Sequence, residues 1–385
     1  MARDLSHAEA VVDPKEAAEH AGLTYVCDDK PGISRRRSGK GFTYSGPGGR
    51  RIRDTMILKR IKALAVPPAW THVWICPRQD GHIQATGRDA RGRKQYCYHG
   101  RFRDVRESTK YHHMLHFAES LPAIRKKIGR HLALRGLPRE KVLATVVNLL
   151  ETTLIRVGGD EYAKENKSYG LTTLKNRHVD VNGSELRFNF KGKGGKVWRL
   201  GVHNRRVAKV IRACQELPGQ ELFQYIDGEG EFRDVTSSDV NAYLREISGE
   251  DITAKDFRTW HGTVLAAMAL NEFQEFDTQA GAKKSIREAI KRVAAHLGNT
   301  VTICRKCYVH PEILITYVEG SLLLEVERVE AELHQDLPGL KPEKAAVLTL
   351  LQRRLSTTLN DKLTASVKRL SATKARKAAH VGRAH

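Results

Sequence analysis

The spacing of apolar residues changes near Arg106, and this change divides the chain into two kinds of structure. Before it, short apolar runs from Leu23 to Cys27 and from Val73 to Cys76 alternate with Gly46-Pro47-Gly48-Gly49 and Asp80-Gly81, a pattern of strands and tight turns. One helix is expected there, from Asp54 to Leu64, where Ile57, Ile61 and Leu64 recur at helical spacing. After it, Leu115, Ala118, Leu121, Ile124 and Ile128, then Val142, Val146, Leu149, Leu150 and Leu154, trace the apolar faces of successive helices. One insertion departs from that rhythm. His178-Val179-Asp180-Val181, Leu186 to Phe190 and Lys196 to Leu200 alternate at period two, joined by Asn182-Gly183 and Gly192-Lys193-Gly194-Gly195. They predict a three-stranded meander with Lys193 at a hairpin turn.

The expected class is α+β, in a chain of 385 residues that is long enough for two cores. A polar segment over 1–22 precedes a β-rich domain over 23–105, and a mainly α domain over 106–328 carries the meander. Helical patterns continue at 207–217, 237–248, 257–272 and 282–297, and Gly298 suits a left-handed helix end. Pro311 opens a further helix to about Val326, and 329–385 reads as a helical extension fading into a basic tail. No acid occurs between Lys362 and His385, so charge would hold that tail near a polyanion.

Lys and Arg exceed Asp and Glu by enough to give a net charge of +22, the electrostatic footprint of a nucleic-acid binder. An anionic membrane or an acidic protein would also attract such a chain. No basic amphipathic helix with a Trp or Phe face favours the membrane, and the apolar run from Ile313 to Leu324 is too short to span one. With no apolar core between Met1 and Glu19 to serve as a signal peptide, the expected location is cytoplasmic. Six cysteines in such a setting are expected as reduced thiols. Cys304 and Cys307 form a C-x-x-C, but a zinc site needs a second ligand pair that the sequence lacks, so no metal or cofactor is expected.

Tyr308 follows a break in a basic helix at Leu297-Gly298-Asn299-Thr300, and tyrosine can be a nucleophile toward phosphorus. A free phenol has a pKa near ~10, so attack on a phosphodiester requires cations that stabilise the phenolate and the charge growing on the phosphorane. Arg156 and Arg258 suit that task, because a guanidinium binds two phosphate oxygens at once and keeps its proton. Lys193, on a glycine-flanked turn, suits proton delivery to a leaving 5′ oxygen, and Asn299 adds a neutral hydrogen bond. Singly, each has a plainer explanation: a surface arginine, an ordinary hairpin, a half-buried tyrosine. Their order and their neighbours carry more weight than any one of them.

In that order and with those neighbours the chain resembles the type IB DNA topoisomerases of the poxvirus-like and bacterial group, over about Tyr25 to Val318. Arg156-Val157-Gly158-Gly159-Asp160-Glu161-Tyr162 with Gly170-Leu171-Thr172-Thr173-Leu174 is similar to the segment of the first catalytic arginine. Phe190-Lys191-Gly192-Lys193 is similar to the hairpin of the catalytic lysine, which implies Lys193 rather than Lys191 or Lys196. Lys255-Asp256-Phe257-Arg258-Thr259 matches the second arginine segment, and Asn299 stands nine positions before Tyr308, as in the family. Poxvirus members carry histidine there, so here the role is orientation and hydrogen bonding without positive charge.

Gly92-Arg93-Lys94-Gln95-Tyr96-Cys97-Tyr98 resembles the family strand laid against DNA bases, with Arg93 and Lys94 on phosphates. The resemblance also implies DNA contacts from Tyr162 and Lys255. Arg35-Arg36-Arg37-Ser38-Gly39-Lys40-Gly41 reads as a basic loop on phosphates and lacks a nucleotide-binding pattern. The family implies a two-lobed clamp acting as a monomer on duplex DNA in the nucleoid: transient cleavage through a 3′-phosphotyrosyl intermediate, strand rotation and religation, without ATP or metal. Two alternatives stay open. A tyrosine recombinase shares the chemistry but usually has H-x-x-R where position 255 is Lys. A noncatalytic architectural DNA binder would use the same cations only as phosphate contacts.

Overall fold

The computed structural model describes residues 13–39, 41–273, 278–322 and 340–356, except the side chains of Ser108, His112 and Tyr162. The chain forms two compact units that divide between His113 and Met114.

In the first unit, Asp13 caps α1 (Pro14–His20) by accepting the Lys15 N–H at 2.7 Å. Five strands, β1 (Ile33–Ser38), β2 (Gly41–Ser45), β3 (Thr71–Ile75), β4 (Ile83–Arg88) and β5 (Lys94–Tyr98), form one antiparallel sheet in the order β2-β1-β3-β4-β5. Asp54 caps α2 (Thr55–Ala63), whose Ile61 packs with Ile33, Val73, Ile75 and Ala85. A second cluster joins Ala17, Ala18, Ala21 and Leu23 to Phe102 on α3 (Gly100–His131). Because α3 already begins at Gly100, the expected boundary at 105 falls within a continuous helix, as does the division at 113.

Two expectations change here. From Leu23 to Cys27 the chain forms only an isolated bridge, Thr24 to Gly81, because the Val26 N–H is taken by the His82 ring at 3.0 Å instead of a strand carbonyl. The basic run from Arg35 is mostly a hairpin strand. Arg35 itself donates to the carbonyls of Val66, Pro67 and Trp70 at 2.7–3.1 Å and lies over Phe42, so its charge braces the fold; Lys40 lies outside the described residues.

The second unit is mainly helical: α4 (Arg139–Thr153), α5 (Asp160–Asn166), α6 (Arg205–Gln215), α7 (Ser237–Ser248), α8 (Ala254–Asn271), α9 (Gln279–Leu297), α10 (Val301–Tyr308), α11 (Pro311–Val318) and a helix over 342–356. Between α5 and α6 lies an antiparallel sheet of β6 (Val179–Asn182), β7 (Glu185–Lys191) and β8 (Val197–His203), in that order. A small hairpin, β9 (Gln224–Ile226) with β10 (Phe232–Asp234), precedes α7. The helix opened by Pro311 ends at Val318, short of the expected Val326, and the basic tail beyond 356 lies outside the described residues.

Helix α8 is the centre of this unit. It packs against α4, α7, α9, α10 and α11, and between Ala254 and Leu270 only Lys255, Leu265 and Met268 escape burial. Such all-round burial normally requires an apolar helix, yet α8 carries Asp256, Arg258, His261 and Thr263. Each has hydrogen-bond partners, although Arg258 Nε is buried without one among the described residues. The His261 Nδ1 faces the Phe257 carbonyl at 2.8 Å and must be the protonated nitrogen, which leaves Nε2 to accept from the Lys344 ammonium at 3.2 Å. Protonating Nε2 would set two donors face to face in a buried place. Burial, with Lys344 beside it, holds the His261 pKa down to about 4, and burial with Arg177 and Lys175 nearby does the same for His178.

These two rings give the fold an acid limit. Below about 6.5 an unfolded histidine takes up a proton, whereas the folded ones stay neutral until about pH 4, so the unfolded state binds more protons across that window. Urea midpoints are expected to fall as pH drops from 6.5 to 4, and replacing both His178 and His261 by Gln should flatten that part of the profile.

Candidate active site

The carboxyl end of α9 organises the site. Gly298, at φ +65, ends the helix in the left-handed conformation; its N–H and that of Asn299 turn back to the Ala295 and Ala294 carbonyls at 3.3 and 2.9 Å, while the Leu297 and Gly298 carbonyls face donors from other segments. Cations from three segments gather at this end. Arg258 Nη2 donates to the Leu297 carbonyl at 2.6 Å, Arg156 Nη2 to that of Gly298 at 3.2 Å, and Lys196 Nζ to that of Ala295 at 3.0 Å. The negative end of the helix dipole favours all three.

Local structure delivers each side chain. Helix α4 ends on Leu154 in a left-handed conformation, φ 56, which turns the chain so that Arg156 follows two residues later. The Leu154 carbonyl accepts from Arg258 Nη1, tying the two arginine segments together. Arg258 is 4% exposed on α8, and Arg156 is half-buried. Burial and the charge of Arg156 lower the affinity of Arg258 for its proton, against the favourable influence of Tyr308. Two neighbouring guanidiniums, one of them buried, form a place where an anion relieves repulsion.

Asn299 lies between them. Its Oδ1 accepts from Arg156 Nη2 and, at 3.5 Å, from Arg258 Nη2. The amide nitrogen Nδ2 is buried and has no hydrogen-bond partner among the described residues. Thr300 then caps α10 by accepting the Ile303 N–H at 3.3 Å, and α10 ends on Tyr308, whose half-buried ring lies 5.2 Å from the Arg258 guanidinium. Arg156, Arg258, Asn299 and Tyr308 are thus brought together.

Lys193 is exposed at the β7–β8 turn, where Gly194 and Gly195 adopt φ 76 and 80. The turn end of this hairpin is pinned to the end of α9 by Trp198, a residue that sequence reasoning missed. Its indole lies so close to Gly192 and Gly298 that a Cβ on either would come within 2.7 Å of it. Lys196 donates to the Ala295 carbonyl, and Lys193 stands at the exposed tip of the turn. No local pattern pairs a tryptophan with glycines 6 and 100 residues away.

Of the expected DNA contacts in the first unit, Lys94, Tyr96 and Tyr98 share one face of β5, with the two tyrosine rings stacked 5.7 Å apart. Lys94 Nζ donates to Asp28 at 2.9 Å. Strand alternation puts Gln95 on the opposite face with Cys97, and its amide donates to Asp89 at 3.0 Å. Asp89 also takes Arg93 Nε at 2.9 Å. Lys255 is exposed on the first turn of α8, and the Tyr162 side chain lies outside those described. Cys304 is buried, and burial pushes its thiol up to about 11, while Cys307 is half-buried. Among the described residues no group of three or more His, Cys, Asp or Glu stands together as metal ligands.

The profile of the family described as eukaryotic DNA topoisomerase I, catalytic core, matches residues 99–333, and that of the bacterial DNA topoisomerase IB N-terminal domain matches 41–89. DNA topoisomerase 1B of Acanthamoeba polyphaga mimivirus is 33% identical over 285 residues, covering 72% of this chain and 85% of the relative. DNA topoisomerase 1B of Vaccinia virus (strain Copenhagen) is 26% identical over 233 residues, covering 59% and 70%.

Gly298→Ala should be costlier than Gly249→Ala. Both glycines end helices at positive φ, but an added Cβ meets Trp198 only at Gly298 and open space at Gly249. The shared backbone strain costs about 1 kcal/mol, and urea unfolding should show a further loss for Gly298→Ala alone.

Proposed function

The chain belongs to the type IB DNA topoisomerases, enzymes that relax supercoiled duplex DNA, and from that premise we propose that Tyr308 is the nucleophile and Arg156, Lys193, Arg258 and Asn299 its catalytic partners. The observation that carries this reading is the convergence of two guanidiniums and an unpartnered amide donor beside the Tyr308 ring.

The Tyr308 oxygen gives up its proton to solvent and attacks a backbone phosphorus, forming the Tyr–P bond as the P–O5′ bond breaks. Arg156 and Arg258 neutralise the nonbridging oxygens of the phosphorane, and Asn299 Nδ2 donates to one of them. Removing one such preorganised donor costs roughly 10²–10³-fold in rate. Lys193 delivers a proton to the leaving 5′ oxygen. The 3′-phosphotyrosyl ester conserves the bond energy, the nicked strand rotates, and the 5′ hydroxyl reattacks. ATP is not required, and the charge stabilisation comes from the protein's own cations.

The net charge of +22 supports a long phosphate footprint on the duplex, with Lys94, Tyr96 and Tyr98 in the first unit and Lys255 in the second among the contacts. Arg93, Gln95 and Tyr162 remain proposed contacts on the family resemblance; for Arg93 and Gln95, binding requires exchanging Asp89 for DNA. The remaining proposals are a monomeric clamp on duplex DNA and a nucleoid location. No described helix is long and apolar enough to cross a membrane.

Incubation with duplex labelled at the 5′ end of the cleaved strand should leave label on the wild-type protein in a denaturing gel, and none on Tyr308→Phe. An adduct on Tyr308→Phe would contradict the assignment. Lys193→Ala should cleave slowly on ordinary DNA and recover on a substrate with sulfur in place of the leaving 5′ oxygen, because a thiolate leaves without a proton. Failure to recover would remove Lys193 from the acid role.

A further inference from the structure

Tyr308 is placed by its main chain as much as by its ring, and the surface that receives that main chain is one turn of α8. Gly262 stands four residues after Arg258, so the two share a helix face. A Cβ on Gly262 would lie 2.5 Å from the Tyr308 carbonyl oxygen, 3.1 Å from the Tyr308 Cβ and 3.2 Å from Leu297 Cδ1. The first distance is one that real Cβ atoms do not tolerate, and the obstacle is backbone that cannot swing aside. Glycine in mid-helix is destabilising relative to alanine, so its presence here calls for a reason, and the close approach of residue 308 supplies one.

Thr263, the next residue, is wholly buried. Its hydroxyl has one proton, which goes to the Thr259 carbonyl at 2.9 Å, the nearest acceptor; the Tyr308 carbonyl lies at 3.4 Å. The oxygen lone pairs then face the His310 N–H, which donates at 3.1 Å. His310 in turn starts α11, its Nδ1 accepting the Glu312 N–H at 3.1 Å. The three residues from Tyr308 to His310 are therefore seated on Gly262 and Thr263, between the end of α10 and the start of α11. The helix that seats them is the one that carries Arg258.

We propose that Gly262 and Thr263 are positioning residues that set the Tyr308 oxygen in line with the phosphorus held by Arg258. The proposal rests on the reading of Tyr308 as nucleophile. Gly262 admits the Tyr308 main chain to the helix surface, and Thr263 fixes its register through the His310 N–H. Neither touches DNA, so their loss acts on the attack step and leaves the phosphate contacts in place.

The test is single-turnover adduct formation on 5′-labelled duplex with enzyme in excess, alongside DNA affinity by filter binding, with thermal unfolding to choose a temperature at which each variant is folded. Gly262→Ala and Thr263→Val should each slow adduct formation roughly 10- to 100-fold while affinity stays within about twofold, because displacement of a reacting group by about 1 Å has that effect. Thr263→Ser keeps the hydroxyl and should restore most of the rate. Sulfur at the leaving position should not rescue Gly262→Ala as it rescues Lys193→Ala, since a misplaced nucleophile is not an absent acid. Should Gly262→Ala fail to fold, the contrast between Thr263→Val and Thr263→Ser decides alone. Wild-type cleavage rates in Thr263→Val, or equal losses in its Val and Ser forms, would overturn the positioning role. An adduct on Tyr308→Phe in the same assay would instead overturn the nucleophile on which it rests.

Discussion

The carbonyls at the end of α9, with the cations gathered on them, are the interaction on which the rest of the site depends. A helix that stops at a left-handed glycine leaves oxygens pointing outward, and water would ordinarily take them. Here Arg156, Arg258 and Lys196 reach them from the segment after α4, from α8 and from the β7–β8 hairpin. One helix terminus thereby fixes the relative positions of parts far apart in sequence. It also opposes the repulsion of two adjacent guanidiniums without neutralising them, because a carbonyl carries only partial charge. The positive field remains available to a phosphate.

The cost of this arrangement falls on α8. A helix buried on nearly every side is an expensive place for an arginine, a histidine and an aspartate, and burial lowers the proton affinity of both Arg258 and His261. The compensation comes from the Leu154 and Leu297 carbonyls for Arg258, from Lys344 and the Phe257 carbonyl for His261, and from the Thr253 backbone and hydroxyl for Asp256, while Arg258 Nε stays without a partner among the described residues. The helix over 342–356 takes part in this through Lys344, so a segment well beyond Tyr308 helps to support the helix that carries Arg258. In return α8 is packed on nearly every side, which suits a part that must hold charge in a fixed direction before substrate arrives.

Elements governed by local rules were legible in the sequence. Period-two alternation with Asn182-Gly183 and the Gly192 to Gly195 turn predicts β6, β7 and β8, and Gly298 marks the end of α9. The candidate site residues came by a different route, through the order and neighbours of Arg156, Lys193, Arg258, Asn299 and Tyr308 in a family resemblance, and the fold brings Arg156, Arg258, Asn299 and Tyr308 together. What stayed hidden needed long-range contact. The His82 ring takes the N–H that would have extended a strand from Leu23, Arg35 turns to three carbonyls, and the pleat of β5 separates Gln95 from Tyr96. The seating of Trp198 on Gly192 and Gly298, and of Tyr308 on Gly262, depends on backbones that meet only in the folded chain.

The central claim is that the end of α9 holds two guanidiniums and the Asn299 amide in place for one phosphate before DNA binds. Its most direct test is the structure of the protein with nicked duplex and vanadate, which adopts the five-coordinate geometry of the phosphorane. The account predicts Tyr308 apical, Arg156, Arg258 and Asn299 Nδ2 on the equatorial oxygens, and the contacts of both arginines with the Leu297 and Gly298 carbonyls retained. Arginines released from those carbonyls, or an Asn299 amide turned away from the vanadate, would contradict it.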